Sequence, residues 1–172
     1  MGEEPISLSP YDPDWPELFE TERRQLEHLL KPWLVGSIEH IGSTAVPGML
    51  AKPVIDIMAG VHSLAASIGA KSAVHEIGYL YFPYRPDQMH WFCKPSLERR
   101  THHLHLVPFQ GPLWNDRLLF RDYLRNVPET ATSYRELKVR LAARFRDDRE
   151  AYTDGKSEFV ETVLRRARAA TA

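Results

Sequence analysis

The run HIGSTAVPGMLAKPVID, residues 40–56, constrains this chain more than any other stretch. Gly42-Ser43 places a permissive glycine and a hydroxyl at the end of an apolar segment, ahead of Pro47-Gly48, which predicts a turn. Pro53 biases Lys52 toward extended geometry, and Val54-Ile55-Asp56-Ile57-Met58 then reads as a β-strand with one carboxylate inside it. A carboxylate among apolar neighbours is costly to bury unless a cation or hydrogen-bond donors meet it. Asp56 is therefore either a strand-end residue bonded to backbone or to Lys52, or a metal or catalytic carboxylate.

The rest of the chain builds outward from this pair of elements. Asp12 or Asp14 can cap a helix that carries Leu18, Phe19, Leu26, Leu29 and Leu30 at helical spacing and stops before Pro32. Ser37 to Ile41 and Pro53 to Val61 are predicted strands flanking the serine turn. Ser63 is predicted to cap a helix reaching Ile77, closed by Gly78. Tyr79 to Tyr84 and Met89 to Lys94 form a hairpin pattern, and Arg100 to Phe109 a further strand. Helices are expected over 115–126, 129–149 and 155–169. This order predicts an α+β fold with a mixed sheet and a helical C-terminal third. One domain over residues 1–172 is expected, with the α/β portion ending near residue 110 and the helical portion beginning near 111.

Bulk charge excludes some partners. A formal net charge of −1, with 26% charged residues, provides no overall field to recruit nucleic acid, so a basic site has to be local. No apolar run approaches membrane-spanning length. Glu3-Glu4 stands where a secretory leader would be basic, Ile6 stands where a myristoylation signal wants Ser or Thr, and the single Cys93 cannot close an intrachain disulfide. A cytoplasmic protein is expected.

Several side chains could carry chemistry. His103 and His105 share one face of a strand, because residues two apart point the same way. With His40 beside the Gly-Ser turn and Asp56 on the neighbouring strand, they make four candidate N/O metal ligands. The alternative is that Leu104 and Leu106 form the core face and the histidines merely occupy the wetter side. Imidazole and carboxylate together suit Zn, Mn, Fe or Ni better than Mg. Arg121 and Arg125, Tyr134 and Lys138, and Tyr152 and Lys156 are each four apart on predicted helices, so each pair shares a face that can meet an anion or simply edge the core. Lys52, four residues before Asp56, is the preferred partner of a phosphate or of Asp56 itself. The sequence contains no GxxxxGK[ST], GxGxxG or HExxH motif, and Ser43 lacks the GxSxG elbow of an acyl-transfer nucleophile.

The stretch GST-x-VPG-x-x-AKP-x-ID after Glu39-His40 closely resembles the GrpB family. The resemblance extends from Tyr11-Asp12-Pro13 through HLHLV at 103–107 and FRDYLR at 120–125 to the last helix. It implies a nucleotidyltransferase-like fold. In that template Gly42, Ser43 and Thr44 would hold the phosphates of a nucleotide or other phosphorylated small molecule, with Lys52, Arg121, Lys138 and Lys156 supplying cations. Asp56, Ser43 and Lys52 would be the catalytic set, and Asp56 with His103, His105 and His40 the ligands of a divalent metal, Mg, Mn or Zn. The sequence departs from the template at Met58, where a second carboxylate is usual, and at His103 and His105, where a third would be. Two-metal chemistry needs that charge. A one-metal site, as in the single-Asp arrangement of (p)ppGpp synthetases, a non-catalytic binding module, and a His/Asp metal-dependent hydrolase are the readings left open.

Overall fold

The computed structural model describes residues 5–171; Met1-Gly2 and Glu3-Glu4 lie outside the described residues. Five strands form one mixed sheet in the order β1-β2-β5-β4-β3. They are β1 (Leu34–Ile41), β2 (Ile55–Val61), β3 (Leu80–Phe82), β4 (His90–Pro95) and β5 (Arg100–Pro108). β2 lies antiparallel to β1 and parallel to β5, while β4 runs antiparallel to both β5 and β3. Among the described residues no helix is long and apolar enough to cross a membrane.

Strand alternation divides the molecule into two layers. Ile55, Ile57, Ala59 and Val61 of β2 and Leu104 and Leu106 of β5 face helices α1 (Trp15–Leu30) and α2 (Ala70–His75), where they pack on Leu26, Leu30 and Val74. Their neighbours face the other way. Met58, Val107, Trp91 and Cys93 join Ile41, Met89 and Trp114 beneath α3 (Pro112–Asn126). Asp56, His103 and His105 belong to this second face, at the end of the sheet where the apolar cluster stops. The period of two thus keeps a carboxylate and an oily core in adjacent residues of one strand.

Helix α4 (Pro128–Arg144), the short α5 (Arg149–Asp154) and α6 (Ser157–Thr171) complete the helical third. A single helix over 129–149 was expected. Instead α4 stops at Phe145, whose backbone leaves helical geometry, and Asp148 caps a new helix by accepting a bond from the Ala151 amide at 2.9 Å. The break turns Tyr152 and Lys156 toward the sheet. The helix expected from Ser63 is also shorter. Ser63 Oγ does accept from the Ala66 amide, but the Ser67 hydroxyl bonds back to the carbonyls of Ser63 and Leu64, and only residues 70–75 are α-helical.

On the α1 side one ion pair is enclosed by the core. Lys94 Nζ of β4 donates to Glu22 Oε1 of α1 at 2.5 Å, the two side chains being only 18% and 6% exposed, and His102 Nε2 lies 3.9 Å from the other carboxylate oxygen. Removing one member leaves the other buried without its partner. Glu22→Ala is expected to lower unfolding free energy by about 3 kcal/mol, with Glu22→Ala/Lys94→Met recovering part of the loss. Urea denaturation of the three proteins measures this, and an additive double variant would refute the coupling.

A candidate metal and anion site at one end of the sheet

Gly42 is the hinge of the site. Its φ of 72° with ψ of −169° is open to glycine and strained for other residues, and a Cβ built there would lie 2.5 Å from Asp56 Oδ2. The serine turn can therefore lie flat against the carboxylate. Residues 43–45 form one turn of 3-10 helix, and Arg125 of α3 donates from Nε and Nη2 to the Ala45 carbonyl at 2.9 and 2.8 Å, fixing the far end of the turn.

Asp56 is met by two imidazoles. Parallel pairing of β2 with β5 sets Asp56 opposite His103 and Met58 opposite His105. His103 Nδ1 is 2.9 Å from Asp56 Oδ1, and His105 Nε2 is 3.7 Å from the same oxygen. One ligand atom from each of the three residues lies within 4.8 Å of the others. Burial alone would raise the Asp56 pKa, but the interactions with His103 and His105 outweigh it and hold the carboxyl well below its ordinary range. Burial pushes His105 down to about 4, aided by Arg117, so its imidazole is neutral at pH 7 and has a lone pair to offer. The Nε2 atoms of both His103 and His105 are buried with no hydrogen-bond partner. Two orphaned imidazole nitrogens beside a charged carboxylate fit a single divalent ion of the Zn, Mn, Fe or Ni type.

His40 stands apart from this group. It pairs with Ile57, not Asp56, and therefore faces α1, where its ring stacks on Phe19 at 4.7 Å and its Nε2 lies 2.9 Å from Thr44 Oγ1. Register, which sequence proximity does not reveal, removes it from the ligand set. Thr44 is likewise directed inward, its hydroxyl donating to the Val54 carbonyl at 3.4 Å while its residue borders the cavity. Thr44 shapes the turn and offers no free hydroxyl to a ligand.

A cavity of about 1170 Å³ opens over the Asp56 cluster, between the sheet and the helical third. Gly42, Ser43, Lys52, Lys138, Lys156 and Arg121 all border it. Lys52 and Lys156 both lie over the Tyr152 ring, at 5.1 and 4.5 Å, and Lys138 lies over Tyr134 at 4.9 Å. Lys138 is buried, with Nζ 3.0 Å from Ser43 Oγ and bonded to the Leu50 carbonyl. Among the described residues neither Lys138 nor Lys156 is paired to a carboxylate. Burial, reinforced by neighbouring lysines, lowers Lys138 to about 7 and Lys156 to about 8. Arg121 borders the same space, but its guanidinium is bound to Glu39 at 2.8 Å, to the His40 carbonyl at 3.0 Å and to Asp122. It braces α3 against β1 and is not free for a ligand.

Arg117, one helical turn before Arg121, is the cation that sequence reading overlooked. It borders the cavity, its Nε is buried without a hydrogen-bond partner, and Asp56 acts on its charge. The spacing of Arg117, Arg121 and Arg125 at successive fours was the available signal.

A five-stranded mixed sheet with flanking and C-terminal helices, bearing a His/His/Asp cluster under a basic cavity, defines an α+β protein with a candidate one-metal, anion-binding site. Residues 5–166 match the sequence pattern described as GrpB protein, and the chain belongs to that family. It is 36% identical to the glutamate-rich protein GrpB of Alkalihalophilus pseudofirmus, covering 92% of this chain and 94% of that one. A UPF0157 protein of Pseudomonas aeruginosa is 43% identical over 96% of this chain and 69% of its own length. The crystal structure of the conserved protein GrpB from Enterococcus faecalis superposes with a TM-score of 0.83 at 33% identity, covering 94% of this chain and 96% of that one.

The lysines make a pH-dependent contribution to stability. Between about pH 7, where folded Lys138 titrates, and 10.5, the ordinary lysine value, the unfolded chain binds more protons than the folded one. Unfolding free energy contributed by Lys138 and Lys156 should therefore rise with pH across that window and fall as pH drops toward 7. Urea midpoints at pH 7, 8 and 9 test this; Lys138→Met/Lys156→Met should flatten the slope, and an equal slope in both proteins would overturn the assignment.

Proposed function

We propose that this chain binds a nucleotide or other phosphorylated small molecule at the Asp56 cavity, together with one divalent cation held by Asp56, His103 and His105. The observation that carries this reading is the juxtaposition of an N,N,O ligand group with Lys138 and Lys156, which among the described residues have no carboxylate partner, all facing one cavity. Charged amines held near each other and out of water are destabilised until an anion joins them. Lys52, Lys156 and Arg117 are placed to supply that attraction, and Ser43 to supply a hydroxyl to a phosphate oxygen. A bound cation would neutralise phosphate charge and polarise a phosphorus–oxygen bond.

Met58, in place of a second carboxylate, is fully buried among Ile41, Met89 and Trp91, and brings no anionic oxygen for a second hard cation. Nucleotidyl transfer to a small acceptor, if it occurs, rests on one metal and on positioning by the basic wall.

Calorimetric titration of ADP with and without Mn or Zn tests the proposal. Wild-type protein should bind ADP more tightly with metal. Asp56→Asn should lose the metal-dependent increment while the fold survives, and Lys156→Ala should weaken ADP roughly tenfold, the value of one charge-assisted hydrogen bond. Unchanged metal affinity in Asp56→Asn would end the metal assignment. Because Lys156 sits near 8 in the unliganded protein, an arriving anion raises it, so binding at pH 8 should take up protons. Titrations in two buffers of different ionisation enthalpy measure that uptake, and identical apparent enthalpies would exclude it.

A further inference from the structure

Among the described groups lining the cavity, Lys138 is poorly placed to hold a phosphate. It is 2% exposed, beneath the serine turn, and its amine is engaged by Ser43 Oγ at 3.0 Å and by the Leu50 carbonyl. A lysine with no carboxylate partner, directed at a hydroxyl at hydrogen-bond distance, needs a different account. The neighbours explain its state. Lys52 faces it from the segment before β2, Lys156 from the junction of α5 and α6, and the Tyr134 ring from its own helix. Burial, with the positive charges of Lys156 and Lys52 beside it, lowers its pKa to about 7 despite the attraction of the Tyr134 ring for the charged form, and brings the neutral amine within reach.

A neutral amine has two protons to donate and one lone pair. The amine donates to the Leu50 carbonyl and to Ser43 Oγ at 3.0 Å, and in the neutral form its lone pair can take the Ser43 proton across that same short contact. The Tyr134 hydroxyl, one turn earlier on α4, acts on the same serine, and burial keeps it protonated with a pKa near 12. Ser43 is thus flanked by an acceptor for its proton and by a hydroxyl able to support its oxygen. It borders the cavity beside Asp56, where a phosphate would lie under the reading above.

We propose that Ser43 is a nucleophile toward phosphorus, with Lys138 as its general base, so that the site passes a phosphoryl or nucleotidyl group through a covalent Ser43 ester. This rests on the phosphate-binding reading of the cavity. Ser43 Oγ attacks one phosphorus of a phosphoanhydride, its proton moves to the Lys138 amine, the Oγ–P bond forms, and the P–O bond to the departing phosphate breaks with the electron pair leaving on that phosphate. An acceptor hydroxyl, water in the simplest case, then attacks the same phosphorus. The Oγ–P bond breaks, Ser43 regains its proton from Lys138, and the acceptor's proton passes to solvent. The absence of a GxSxG elbow does not weigh against this, because that elbow serves attack on a carbonyl.

The test uses a neutral fluorophosphonate, in which attack by Ser43 expels fluoride and leaves a stable phosphonyl ester that peptide mass spectrometry locates. In wild-type protein Ser43 should be labelled, at a rate that rises with pH to a plateau with its midpoint near pH 7, and inorganic pyrophosphate should protect it. Ser43→Ala should abolish labelling at this peptide. Lys138→Arg keeps a cation of similar length but removes the base, and should slow labelling by about 100-fold, the low end of general-base catalysis. Lys138→Met, with melting curves of all variants, separates loss of the base from loss of fold. If Ser43 in wild type reacts no faster than in Lys138→Arg, or shows no inflection between pH 6 and 8, the nucleophile assignment is overturned. Pyrophosphate binding by calorimetry would then still support the binding reading. Labelling that pyrophosphate does not block would overturn the proposal as a phosphoryl-transfer step, and absence of pyrophosphate binding would overturn both.

Discussion

Asp56 keeps its charge inside the protein because two imidazoles from the adjacent parallel strand meet it, and the arrangement around it follows from that requirement. The parallel pairing of β2 and β5 is what delivers His103 opposite Asp56. Only a residue without a side chain lets the serine turn approach the carboxylate so closely, which is why Gly42 occupies that corner. The turn, once pressed there, is fastened at its other end by Arg125 and from below by Lys138. Charge, strand order and backbone conformation thus specify the same geometry from three directions.

A single-carboxylate centre changes what the site can do. Two hard cations need several anionic oxygens, and the position that would supply the next one is occupied by Met58 in a packed apolar cluster. Converting it to an acid would place a second charge inside that apolar cluster. The basic character therefore comes from side chains of the helical third and of the segment before β2, and imidazole ligands would favour metals other than magnesium. Membership of the GrpB family places these features in a fold shared with the Enterococcus faecalis protein.

Much of this was legible in the sequence because it depends on local periodicity. Alternation in HLHLV put His103 and His105 on one face, and spacing by four put Tyr134 with Lys138 and Tyr152 with Lys156. What could not be read depends on register and on breaks. His40 precedes the glycine turn by two residues, yet its strand pairing turns it to the opposite layer. Arg121 looked like the free cation and Arg117 did not, because the Glu39 that occupies Arg121 lies 82 residues away in the chain. The interruption after Arg144 was invisible to a helical pattern that continues through Phe145, although Asp148 carried the capping chemistry that restarts it.

The helical interruption also bears on how the molecule comes together. Lys138 reaches Ser43 across 95 residues, and His103 reaches Asp56 across 47, whereas the first two strands are joined by the segment 42–54. Closing a larger loop costs more chain entropy, so contacts of that span follow those that have already shortened the path. The β1-β2 ribbon and its helix can form from neighbours in the chain. The serine–lysine contact has to wait until the sheet is built and α4 has docked, which makes this candidate site a late product of folding and a sensitive reporter of whether the last third has arrived.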